Sequence, residues 1–131
     1  AEAGLEHFSR RTTKDLDILL ITTDPTARGI TTARRIVDLV KELHIHVGRT
    51  YVVANRVPEQ ITERLKDQIR KEGLDCIGVI PEDPLVQEFD LEGRPLTQLP
   101  KTSSAYQSML SITEKLLLRI EEKAAAWWDK V

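Results

Sequence analysis

The chain has 131 residues, of which 40% are hydrophobic, 31% charged and 5% aromatic, and 19 Lys and Arg against 21 Asp and Glu give a formal net charge of -2. This composition excludes intrinsic disorder, which needs low hydrophobicity with high net charge. It also excludes broad electrostatic binding to nucleic acid, which needs a basic surface. No apolar run approaches the length of a membrane span, and no signal-peptide pattern is read in the chain. A single cysteine, Cys76, rules out an internal disulfide framework and predicts a reducing, cytoplasmic setting.

The first predicted element is the apolar run from Asp17 to Thr23, a strand covered on both faces as in a parallel sheet. Asp24-Pro25-Thr26 then turns the chain and caps a helix that carries Ile30, Ala33, Ile36, Val37, Val40 and Leu43 at helical spacing. The cycle repeats. Thr50 to Asn55 is a β-branched strand, and Pro58 opens a helix with Ile61, Leu65 and Ile69 on one face and Gly73 as its stop. A third strand runs from Leu74 to Ile80 and ends at Pro81, and a short helix covers Asp83 to Phe89. Asp90 to Thr102 reads as an ordered loop, and the last helix starts at Ser103 or Ser104 with Ala105, Met109, Ile112, Leu116 and Ile120 facing inward.

Strands alternating with helices predict an α/β fold, a three-layer parallel sheet with flanking helices, because parallel strands need long crossovers. Three strands are few for this class, so the sheet is expected to expose an edge where another segment or chain pairs. The opening Ala1-Glu2-Ala3-Gly4, without a methionine, points the same way: the 131 residues read as a single partial domain.

Ligands of open parallel sheets sit beyond the carboxyl ends of the strands. Three such ends fall on one rim: Thr22 to Pro25, Ala54 to Val57 and Val79 to Asp83. Asn55 at the second end offers an acceptor and two donors to a purine edge, or alternatively caps its turn through its own backbone. His7, His44, His46 and Cys76 are weighed as a metal site. The two nearer histidines instead suit a helix C-terminus, Cys76 suits a strand interior, and metal sites usually gather three or four ligands. Trp127 and Trp128 lie about 100° apart on a helix, serving either a partner contact or packing on their own domain.

Gly78 to Asp83, Val86, Asp90 to Leu96 and Ser104-Ala105 resemble the C-terminal part of the MinD/ParA-type P-loop ATPases. The stretch Glu2 to Arg10 is similar to switch II of the ATPase that matures carbon monoxide dehydrogenase by helping insert nickel. Asp24-Pro25-Thr26, the Ala33-Arg34-Arg35-Ile36 helix and Asn55-Arg56-Val57 fit the same branch. The resemblance runs to about Ile120, leaving residues 121–131 as an extra helical tail. It implies the C-terminal half of a doubly wound P-loop NTPase fold. Asn55, with Arg56, would meet the adenine, and Pro81, Glu82 and Asp83 would line the other side of the base, largely through backbone groups. Gly4, Glu6, His7 and Arg10 would belong to the switch that follows nucleotide state.

The family resemblance further implies ATP and magnesium as cofactors of the intact protein and a homodimer closed by ATP. It also implies a client metalloenzyme that would receive nickel. The chain contains no Gly-x-x-x-x-Gly-Lys-Ser/Thr loop, which in the family holds the phosphates and magnesium. It is therefore expected not to hydrolyse ATP alone, and to need a second copy or the missing N-terminal half. Two other readings stand beside this one. The chain is a non-catalytic interaction module using an open sheet edge or its tryptophan tail, or a piece of a partition or division-site ATPase.

Overall fold

In a computed structural model, residues 15–129 are described, with the backbone alone for residues 123 and 126–129. Three strands form one sheet in the order β1-β2-β3: β1 (Asp15–Thr23), β2 (His46–Val57) and β3 (Cys76–Pro81). All pairings are parallel, with Leu19 opposite Thr50, Ile21 opposite Val52 and Val57 opposite Pro81. Helix α1 (Ala27–Glu42) joins β1 to β2, and a 3₁₀ turn at Glu59–Ile61 with α2 (Thr62–Lys71) joins β2 to β3. Helices α3 (Pro84–Glu92) and α4 (Ser104–Asp129) follow. The α/β parallel architecture expected from the alternating pattern is what the chain adopts.

Helices α1 and α3 each begin at a side-chain cap that the sequence provides. The Thr26 hydroxyl accepts from the Gly29 N–H at 3.0 Å, and Asp83 caps α3 with Pro84 in its first turn. Two apolar layers sandwich the sheet. On one face Ile21, Val52, Ala54 and Val57 meet Ile30 and Ala33 of α1 and Leu65 and Ile69 of α2. On the other, Tyr51, Val53 and Ile77 pack against Ile112 of α4, with Ile18, Ile80 and Leu116 partly buried around them. Neighbouring strand residues thus point to opposite layers, as Val52 and Val53 do.

Four expectations are corrected. Strand β2 begins at His46, four residues earlier than its β-branched run suggests, because parallel pairing with β1 continues down to Asp15. Strand β3 begins at Cys76, since Leu74 ends the turn after α2 by donating its N–H to the Ile69 carbonyl. The segment from Asp90 is not all loop: α3 continues to Glu92, and Leu96–Gln98 forms a 3₁₀ turn. Finally, Met109 and Ile120 do not face inward; they are 46% and 50% exposed, because α4 seats a narrow strip centred on Ala105, Ile112 and Leu116. Both outer strands, β1 and β3, pair with β2 alone among the described residues, so the sheet has an unpaired edge on each side there.

Candidate functional site

The carboxyl ends of the strands form the rim on which the candidate residues fall. Past β2, the Glu82 N–H donates to the Val57 carbonyl at 3.1 Å, which extends the β2–β3 pairing beyond the last strand residues. That bond brings Asn55, Arg56, Pro81, Glu82 and Asp83 to one corner. Arg56 is left-handed, with φ of 54°, a conformation that non-glycine residues adopt at a cost of about 1 kcal/mol or more. The bend turns the Arg56 N–H onto Asn55 Oδ1 at 3.0 Å and carries its guanidinium across to Asp24 Oδ1 at 3.2 Å. The ends of β1 and β2 are therefore linked by an ion pair, exposed on both sides. Asn55 does cap its own turn, yet its oxygen keeps a second lone pair and its nitrogen both donors.

Asp83 is only 7% exposed, and its carboxylate is fully engaged. Oδ1 accepts from the Leu85 N–H at 3.0 Å, while Oδ2 accepts from the Ser103 hydroxyl and, at 3.1 Å, from the Ala105 N–H. One side chain thereby caps α3 and anchors the start of α4. The Ser103 hydroxyl, seconded by these backbone N–H groups, holds the Asp83 carboxyl below its usual range against the opposing effect of burial. Whatever Asp83 offers a ligand must come from its backbone. Pro81 is half-buried and Glu82 exposed, so the chain surface facing the corner is backbone and one flexible carboxylate.

Asp24 and Ser103 are both legible in the sequence as helix-start residues, but their roles as partners of Arg56 and Asp83 are not. The signal for those roles, an Arg at the end of the next strand and an Asp twenty positions earlier, has no meaning until strands are placed. A hollow of about 220 Å³ lies beside this corner, lined by Thr22, Thr23, Asp24, Thr26, Arg28 and Gly29. A Cβ on Gly29 would come within 2.8 Å of the Asp24 carbonyl, so glycine lets the first turn of α1 close on the end of β1. A separate groove of about 310 Å³ between α1 and α2, floored by Ile30, Ile61 and Leu65, includes none of Asn55, Arg56, Pro81, Glu82 and Asp83.

Gly4, Glu6, His7 and Arg10 lie outside the described residues, and of Trp127 and Trp128 only the helical backbone is described. Among the described residues no three His, Cys, Asp or Glu side chains gather as a metal site. His44 is left-handed (φ 56°) just after α1, and His46 is exposed at the start of β2. Cys76 is half-buried, donates to the Gly78 carbonyl at 3.4 Å, and burial pushes its thiol up, away from a reactive thiolate. Among the described residues no helix is long and apolar enough to cross a membrane.

No protein-family model matches the sequence. The chain is 40% identical over 116 residues to an uncharacterized ATP-binding protein of Methanocaldococcus jannaschii, covering 88% of this chain and 46% of that protein. It is 33% identical over 92 residues to the carbon monoxide dehydrogenase accessory protein CooC of Rhodospirillum rubrum, covering 70% of this chain and 36% of CooC. In structure it superposes on the MinD cell division protein of Aquifex aeolicus with a TM-score of 0.64 at 24% identity, covering 77% of this chain and 44% of MinD. The Pyrococcus furiosus cell division ATPase MinD gives 0.57 at 22% identity, over 76% of this chain and 42% of that one. The chain thus spans less than half the length of these relatives. The chain is thus related in sequence to that archaeal ATP-binding protein and to CooC, and its parallel sheet with flanking helices has the fold of the MinD ATPases.

Proposed function

We propose that this chain is the base-recognising part of an ATP-binding maturation factor that serves nickel insertion into carbon monoxide dehydrogenase in the cytoplasm. The observation that carries the reading is the Glu82–Val57 backbone bond, which gathers Asn55, Arg56 and Pro81–Asp83 at one corner of the parallel rim. There the Asn55 carboxamide has two donors and a lone pair to meet adenine, whose edge pairs a donor with an acceptor. The backbone of Pro81, Glu82 and Asp83 bounds the other side of the base, with the Asp83 carboxylate reserved for holding α3 and α4 in place.

The described residues fit the base and offer no phosphate loop, so phosphate and magnesium binding fall to the part of the family fold that this sequence does not contain. Magnesium, when bound there, neutralises charge on the phosphates. Gly4, Glu6, His7 and Arg10 act as the switch that reports nucleotide state, and ATP closes a homodimer. The nickel client is supported by the similarity to CooC, whose name ties it to carbon monoxide dehydrogenase.

Titration of the chain with a fluorescent ATP analogue tests the base site. Binding is expected to be weak and to weaken further in Asn55→Ala; tight binding unaffected by that substitution would overturn the assignment. The client is tested in Rhodospirillum rubrum lacking CooC, with this chain joined to a phosphate-loop half. Nickel-dependent recovery of carbon monoxide dehydrogenase activity is expected, and recovery of ATP binding without it would remove nickel insertion from the reading.

A further inference from the structure

Asn55 and Arg56 sit in a bulge of β2. Ala54 lies opposite Val79 and Val57 opposite Pro81, so β2 carries one residue more than β3 between those pairs. Ala54 and Val57 are fully buried, which fixes the bulge at both ends. Between them Asn55 is half-buried and Arg56 exposed. The left-handed backbone of Arg56 is costly for a non-glycine residue, and its guanidinium bond to Asp24 Oδ1 holds it from the end of β1. Asp24 is in turn anchored through its backbone. Its carbonyl accepts from the Thr26 N–H at 2.8 Å and from the Thr23 hydroxyl at 3.1 Å.

The two ends of a carboxamide have nearly the same shape, and its hydrogen bonds decide which end is oxygen. That choice separates the purines. Adenine sets the N6–H donor beside a ring acceptor, whereas guanine sets the O6 acceptor beside the N1–H donor. For a base held in one position, a carboxamide in one orientation pairs with adenine, and turned end for end it pairs with guanine. At Asn55 the turn is blocked. The Arg56 N–H donates to Oδ1 at 3.0 Å, and the reversed amide would set its own N–H groups against that donor.

We propose that the Asp24–Arg56 ion pair sets the purine preference of the rim: it holds the bend whose N–H locks the Asn55 carboxamide in the orientation that pairs with adenine. The inference rests on the base-site reading above. Asp24 and Arg56 are positioning residues that act through Asn55 rather than on the base. Because the pair is exposed, its share of the preference is about three- to fivefold.

Nuclear magnetic resonance titration of the isotope-labelled chain with AMP and with GMP tests this, since the ratio of the two dissociation constants cancels effects on the shared phosphate. The chain is expected to favour AMP. Asp24→Ala and Arg56→Gly should each lower that preference about three- to fivefold while circular dichroism stays unchanged. Arg56→Lys keeps the charge and the N–H and should retain the preference within about twofold. Asp67→Ala breaks an exposed ion pair of the same length on α2 and should not move it. Without nucleotide, Asp24→Ala should speed hydrogen exchange at the Arg56 amide by a similar factor, which reads the lock directly. A preference or an Arg56 exchange rate that Asp24→Ala leaves unchanged would overturn the proposal. Asn55→Asp separates it from the base site: a carboxylate accepts from guanine N1–H and has no donor for adenine, so the preference should reverse. Reversal there with no effect of Asp24→Ala removes the positioning role alone. Absence of AMP binding, or a preference indifferent to Asn55→Asp, removes the base site and the positioning role with it.

Discussion

Arg56 concentrates the residue-scale logic of the rim. Its left-handed backbone turns one N–H onto Asn55 and one guanidinium onto Asp24. The ion pair is exposed and contributes at most about 1 kcal/mol, comparable with the strain of the bend. Arg56→Gly should therefore change the unfolding free energy by less than about 1 kcal/mol, whereas the β-branched Arg56→Val should lower it by about 1–2 kcal/mol; urea melts of both variants check this. Asn55 is legible in the sequence as a rim residue, but its surroundings are not: only the paired strands place residue 56 beside residue 24.

Asp83 acts on two helices at once, so its removal belongs to the scale of elements. Asp83→Ala should destabilise the fold by about 2–3 kcal/mol, through the lost bonds from the Leu85 and Ala105 N–H groups and a Ser103 O–H left without its acceptor, with thermal unfolding as the readout. Its folded-state pKa is lowered, so its stabilising contribution is present above the ordinary carboxyl range and is lost as the pH falls through the lowered value. The wild-type chain should lose stability on acidification in that window, and Asp83→Asn should flatten the dependence. Helix α4 is seated by Gly78, where a Cβ would collide with the Ile112 side chain. Gly78→Ala is expected to lift α4 from β3 at a cost of roughly 1–3 kcal/mol, seen as faster hydrogen exchange along that helix. The helix itself is plain in the sequence. Which strip it buries is not, because apolar residues are spread around much of its circumference and periodicity alone does not choose among Ile112, Met109 and Ile120.

At the scale of the whole molecule, one sheet couples two apolar layers. Val52 and Val53 are adjacent in sequence and fully or almost fully buried in opposite layers. Val52→Ala and Val53→Ala should each cost about 2 kcal/mol and shift a single unfolding transition, rather than melting one layer alone. Separate transitions by probes on α2 and α4 would show that the sheet does not couple them.

The strand and helix order, the parallel sheet and the corner residues at the strand ends are readable from the sequence. Apolar runs, caps and glycine stops are local signals, and local signals determine local structure. The bend at Arg56, the double role of Asp83 and the narrow seat of α4 belong to tertiary structure. Each depends on which residues distant in the chain become neighbours, and that is settled by packing across the sheet rather than by any spacing along it.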